Sequence, residues 1–205
     1  MTTPWQRYQA DLQRADFSHD ASQEQAVLLL QDLYERLVAS SAEQGSGLKA
    51  WVRKFRGVEI EPQVGLYFWG GVGRGKTYLV DTFFECLPFR RKLRVHFHRF
   101  MQRVHAELVS LEGEKNPLER VADRFSRQAR VLCFDEFFVT DIGDAMILGG
   151  LMKALFERGV TLSGTDGGVA GNIFLEGNEI NLRGGESSII GAGIITLRPT
   201  TVGMN

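Results

Sequence analysis

Cysteine is scarce in this chain of 205 residues: there are two, Cys86 and Cys133, far apart and each in an apolar setting. That excludes a disulfide framework, and no spacing of cysteine and histidine suits a metal site. The expectation is a pair of buried thiols in a reducing, cytoplasmic environment. Also missing is any run of the roughly 18 apolar residues that a membrane span requires. The opening Met1-Thr2-Thr3-Pro4-Trp5-Gln6-Arg7 leads into polar sequence with no secretory apolar core. Net charge is scarce too, at −1, which argues against bulk attraction of the whole molecule to nucleic acid or membranes. Wholesale disorder is not expected with 43% of apolar residues, enough to build a core in a chain of this size.

What is present is an alternation of strand and helix patterns. Residues 1–19 read as an arm, partly ordered at best. From Asp20, which can cap a helix with Gln23 three residues on, apolar residues recur at Ala26, Val27, Leu30, Leu33, Tyr34, Leu37 and Val38, one face of a helical period. Glu43-Gln44-Gly45-Ser46-Gly47 reads as a linker, and Lys49 to Arg56 as a short basic–apolar helix. Val64 to Trp69 is a compact apolar run, a buried strand. Helix is expected from Lys76 to about Cys86, strand from Leu93 to Phe97, and helix from about Arg99 to Leu111. A polar helix is expected at 117–128, strand at Val131 to Phe134, helix at Asp144 to Glu157, and the start of a fourth strand at Val160-Thr161-Leu162. Such alternation predicts an α/β fold, a parallel sheet flanked by helices. Functional groups in these sheets gather at the carboxyl ends of the strands.

Two motifs stand at those ends. Gly70-Gly71-Val72-Gly73-Arg74-Gly75-Lys76-Thr77 satisfies G-x-x-x-x-G-K-[ST], with Tyr78 following in the same helical turn. Its glycines let backbone N–H groups face phosphate oxygens, and the helix that follows adds its positive end. Lys76 places a charge against the β- and γ-phosphates of ATP, and the Thr77 hydroxyl is a hard ligand for Mg2+. The second motif, Val131-Leu132-Cys133-Phe134-Asp135-Glu136, delivers Asp135 as the magnesium partner. Glu136 beside it is a base able to polarise a water for attack on the γ-phosphate.

From Leu87 to His105 no acid occurs, while Arg90, Arg91, Lys92, Arg94, Arg99, Arg103 and three histidines do. This is either a solvated edge with its aliphatic stems lying on apolar surface, or a patch for nucleic acid or an acidic partner. His96 and His98 alternate with Val95 and Phe97 on a strand and lack a third ligand for a metal.

With both motifs placed, the sequence resembles the AFG-type AAA+ ATPases, and their bacterial cell-division members above all. The likeness rests on the glycine loop, on His96-Phe97-His98-Arg99-Phe100-Met101, and on Asp135-Glu136-Phe137-Phe138-Val139-Thr140-Asp141-Ile142, and it covers about residues 4 to 162. It implies an ATP-hydrolysing, self-associating AAA+ protein. The bacterial members act with the tubulin-like ring protein FtsZ, and mitochondrial relatives serve inner-membrane protein maintenance. The resemblance assigns Lys76 and Thr77 to phosphate and magnesium, Asp135 to the metal and Glu136 to the base. In the family the fourth strand continues to a polar Asn that senses the γ-phosphate, followed by a trans-acting arginine and a helical lid. Here Ser163-Gly164-Thr165-Asp166 follows, and residues 163–205 hold ten of the 23 glycines and one aromatic, Phe174. Ile173, Leu175, Ile180 and Leu182 lie at strand-like spacings, with Gly184-Gly185 and Gly191-Ala192-Gly193 as turn material. The expected organisation is therefore an arm and helix over 1–45, a P-loop NTPase core over 46–162 that is incomplete at its C-terminus, and a glycine-rich β or irregular tail over 163–205. Loss of sensor, arginine and lid predicts a core that binds nucleotide and has lost most turnover.

Overall fold

The four residues Val131-Leu132-Cys133-Phe134 are all buried, and their alternation divides the molecule. In a computed structural model, which describes residues 2–44, 63–70, 73, 75–139, 141–166 and 192–197 (42–44 and 192–197 for their backbone alone), Val131 and Cys133 face one layer of helices, and Leu132 and Phe134 the other. That period of two is the signature of a strand covered on both faces.

The sheet runs β2 (Lys92–His96), β3 (Val131–Asp135), β4 (Thr161–Thr165), β1 (Gly65–Gly70), all parallel, with β5 (Ala192–Leu197) antiparallel beside β1. One face carries α1 (Pro4–Asp11), α2 (Ala21–Gln44) and α3 (Lys76–Cys86), packed through Tyr8, Leu30, Leu33, Leu37, Val80 and Phe83. The other carries α4 (Phe97–Ser110), α5 (Pro117–Gln128) and α6 (Ile142–Glu157), centred on Phe100, Phe125, Leu148 and Leu155. Each such large side chain contributes about 1.5–3 kcal/mol by leaving water, so these two cores, and not the exposed ion pairs, hold the sheet.

Local signals set the helix starts. Asp20 Oδ1 accepts the backbone N–H groups of Ser22 (2.7 Å) and Gln23 (3.2 Å) ahead of α2. Asp141 caps α6 in the same way, through Gly143 N–H at 2.7 Å and Asp144 N–H at 3.2 Å. The first residues are not the loosely ordered arm expected from the sequence. Thr3 and Gln6 form a reciprocal capping box around Pro4 at the first turn of α1. Tyr8 is fully buried against α2 and α3, and Trp5 N–H donates to Gln31 Oε1 at 3.1 Å. An eight-residue helix is too short to show a period, so its cap was the readable signal.

The C-terminal side also departs from expectation. The boundary expected at 162 falls inside β4, whose five residues are all buried. Ser163-Gly164-Thr165 does not read as a strand because its residues are small and polar, yet these three continue β4 between β3 and β1, where close neighbours leave little room. A Cβ at Gly164 would come within 3.0 Å of the Phe134 carbonyl oxygen, and Ser163 Oγ donates to the Leu66 carbonyl at 2.9 Å. Ala192 and Gly193, expected as turn material, lie in β5 opposite Gly70 and Trp69. Likewise Glu43 and Gln44, read as linker, are the last residues of α2. The proposed helix at Lys49 to Arg56 and the spacings from Ile173 to Leu182 lie outside the described residues.

Candidate nucleotide site

β1 ends at Gly70, where the glycine motif begins. Gly71, Val72 and Arg74 lie outside the described residues, but Gly73 and Gly75 have φ of +82° and +79°, the left-handed region that glycine enters without strain. Gly75 is the N-cap of α3 and offers no side chain to cap it. The first intrahelical bond at this end is Leu79 N–H to the Gly75 carbonyl, 3.0 Å, so the helix itself offers no acceptor to the amides of Lys76, Thr77 and Tyr78. Such an end, with its dipole, favours an anion. Thr77 is exposed there. The Tyr78 side chain turns away from the loop to α1. Its hydroxyl donates to Asp11 Oδ2 at 2.8 Å and its ring lies 5.1 Å from Phe17. Burial, then the bond to Asp11, pushes the phenol up to about 12.

Lys76 reaches across to the tip of β4. Its Nζ is 3.1 Å from Asp166 Oδ1, with both side chains largely buried. Asp166 is fixed by its backbone, whose N–H donates to the Phe68 carbonyl of β1 at 3.0 Å. One residue earlier, the Thr165 carbonyl accepts Phe137 N–H at 2.7 Å. The segment after β3 is therefore laced to the same strand tip that meets the lysine. Tyr67 completes this rim: its hydroxyl donates to the Phe137 carbonyl at 3.0 Å, and burial, then the charge of Asp166, raises its phenol well above the ordinary value.

Asp135 closes β3 beside that tip. Arg94 on β2 grips it with Nε (3.1 and 2.8 Å to the two oxygens) and Nη2 (2.9 Å to Oδ1). The Arg94 Nη1 group also contacts Asp81 on α3. Asp81 lies four residues beyond Thr77, one turn along the same helix face. Arg94 thus ties the carboxylate of β3 to the helix face that carries Thr77. Glu136 follows in a left-handed conformation, φ +54°, unusual outside glycine and a form of strain that clusters at functional sites. Its exposed carboxylate lies 3.9 Å from His96 Nδ1, and the His96 and His98 rings stack with centroids 5.8 Å apart.

For magnesium, the candidate donors are the Thr77 hydroxyl and the Asp135 carboxylate, both hard oxygens. Each Asp135 oxygen has lone pairs beyond those Arg94 engages, and the strand-end position is open to solvent at 18% exposure, so the set fits a hydrated ion that takes its remaining ligands from phosphate and water. Among the described residues no cluster of three or more histidine, cysteine or acidic side chains that could hold a metal occurs.

Arg94, Asp81 and Asp166 were not assigned roles from the sequence. Arg94 was legible only as part of the basic run, in which Lys92 and Arg94 are half-buried while Arg90, Arg91, Arg99 and Arg103 are exposed. Lys92 Nζ donates to the Phe84 and Leu87 carbonyls at 2.6 and 2.8 Å, capping α3. Arg103 lies over the Phe125 ring at 4.9 Å and donates to Gln128 at 2.9 Å, and Arg91 contacts the Ser126 carbonyl.

A glycine loop between a central strand and a helix, with its lysine and an acidic strand end meeting at one rim of a parallel sheet, defines the class of P-loop nucleotide-binding proteins. Residues 2–174 match the family model described as AFG1-like ATPase, and the chain belongs to that family. It is 53% identical over 169 residues to the cell division protein ZapE of Escherichia coli K12, covering 80% of this chain and 45% of that protein. A second relative, the uncharacterized protein C115.02c of Schizosaccharomyces pombe, is 31% identical over 205 residues, covering 85% of this chain and 45% of its own length. The chain thus spans about half the length of these curated relatives. Among solved structures it is similar to AMPPCP-bound DnaA from Aquifex aeolicus (TM-score 0.46, 14% identity, 73% of this chain and 40% of that one). It is also similar to DnaI (TM-score 0.44, 19% identity, 77% and 74%). Among the described residues no helix is long and apolar enough to cross a membrane.

Proposed function

We propose that this chain binds ATP with magnesium in the Gly70–Thr77 loop and hydrolyses it, as part of a self-associating AAA+ machine acting in cell division, with FtsZ or its associates as the partner. The observation that carries this reading is the meeting of Lys76, the Thr165–Asp166 tip and the Asp135–Glu136 strand end at one rim. In this reading the α3 amides and Lys76 bind the phosphates, and Thr77 and Asp135 hold the ion. A magnesium ion there supplies charge neutralisation of the phosphates. Glu136, exposed and 3.9 Å from His96, accepts the proton of the attacking water.

A second reading, a non-catalytic nucleotide-binding module, is favoured by the internal partners already engaged: Arg94 holds both Asp135 oxygens and Asp166 holds Lys76. Phosphate release by the purified chain separates the two, measured beside Glu136→Gln. Turnover that falls at least about a hundredfold in the variant while ATP remains bound supports the enzyme. Equal, background-level release by both supports the module.

A further inference from the structure

The Lys76–Asp166 pair is unlike the other ion pairs described: the next least exposed, Arg94 with Asp135, leaves 19% and 18% of the two side chains exposed, against 15% and 6% here. It also joins the one side chain of the loop that must carry charge to phosphate. Resting on the nucleotide reading above, we infer that Asp166 is an internal anion that competes with the terminal phosphate for Lys76, so that the site discriminates against triphosphate in favour of diphosphate.

The argument is positional. Asp166 is held at the strand tip by its own amide, which donates to Phe68, so its backbone stays at the β1–β4 edge within reach of Lys76. The lysine of such loops addresses the β- and γ-phosphates, and the γ-phosphate is the one directed toward the acidic strand end. Here that strand end is laced to the Asp166 tip through Phe137 N–H and the Thr165 carbonyl, 2.7 Å. An arriving γ-phosphate therefore meets a buried carboxylate of its own sign. Lys76 must either loosen its hold on a carboxylate that is 6% exposed or be shared between two anions. A diphosphate lacks the group that approaches the tip and is held by the loop and α3 amides.

The test is calorimetric titration of the full chain, with magnesium, using ADP and a non-hydrolysable ATP analogue. It compares wild type with Asp166→Asn, which keeps shape and removes charge, and with Asp166→Ser, which removes both; thermal melts establish that each variant is folded. The expected result is that both variants bind the triphosphate analogue about tenfold more tightly and ADP within about twofold of wild type. Equal changes for the two nucleotides, no change, or weakened triphosphate binding in folded variants overturns the inference while leaving the nucleotide reading intact. Failure of the wild type and both variants to bind either nucleotide overturns that reading, and this inference with it.

Discussion

Arg94 is the residue on which the described rim is most dependent, because one planar fork answers two carboxylates on different elements. Arg94→Ala would leave Asp135 and Asp81 facing each other without a cation. It is expected to lower stability by about 1–3 kcal/mol in urea titration, less than for a fully buried pair because water reaches both acids. Arg94→Lys keeps the charge but not the fork, and should recover less than half of that loss. Two other groups make alkaline stability predictable. Burial pushes the Cys133 thiol up to about 12, and burial with the Asp11 contact does the same for Tyr78. Both are held neutral in the fold while the unfolded chain ionises at ordinary values, about 8.5 for cysteine and 10 for tyrosine. Raised folded values mean that their contribution is complete below those ordinary values and is lost as pH climbs toward about 12. Urea midpoints should therefore fall from about pH 9 upward, with less decline in Cys133→Ala.

At the scale of elements, α1 is the clearest consequence of short-range chemistry. Tyr8 packs at 6.0 Å from Trp5 and 5.9 Å from Phe17, wholly removed from water. Tyr8→Ala is expected to cost about 3–5 kcal/mol and to expose Arg7 and Arg14 to trypsin well before the sheet opens. Thr3→Ala removes half of the capping box and should cost about 1 kcal/mol, read from the same melts. The elements between 64 and 162 were legible because their signals are redundant: apolar runs, helical periods and the alternation of the two agree, as at Val131–Asp135. Those missed lack redundancy. β4 is finished by Ser163, Gly164 and Thr165, chosen for close approach to Phe134 and not for apolar bulk, and nothing local distinguishes such residues from a turn.

For the whole molecule, the two faces of the sheet do different work. The α1–α3 face anchors the glycine loop's helix, and the α4–α6 face is bound together by Phe100, Phe125 and Phe134 and by Arg158, which bridges Asp123 and Glu119 at 2.7 Å each. The sequence motifs named the residues at the rim, but not their internal partners. A β2 arginine finds a β3 carboxylate only through strand order, His96 standing opposite Asp135 and Arg94 two residues before it, and order is a property of the whole chain. The same holds for Asp166, which meets Lys76 only because β4 lies between β1 and β3.

The central claim is that the loop and its lysine hold the phosphates of a nucleotide. Equilibrium titration of ATP with magnesium into the wild-type chain and into Lys76→Ala tests it most directly. Saturable binding to the wild type that weakens at least about a hundredfold in the variant, with both proteins melting alike, is the predicted result. Equal affinity in the two, or none in either, would contradict it.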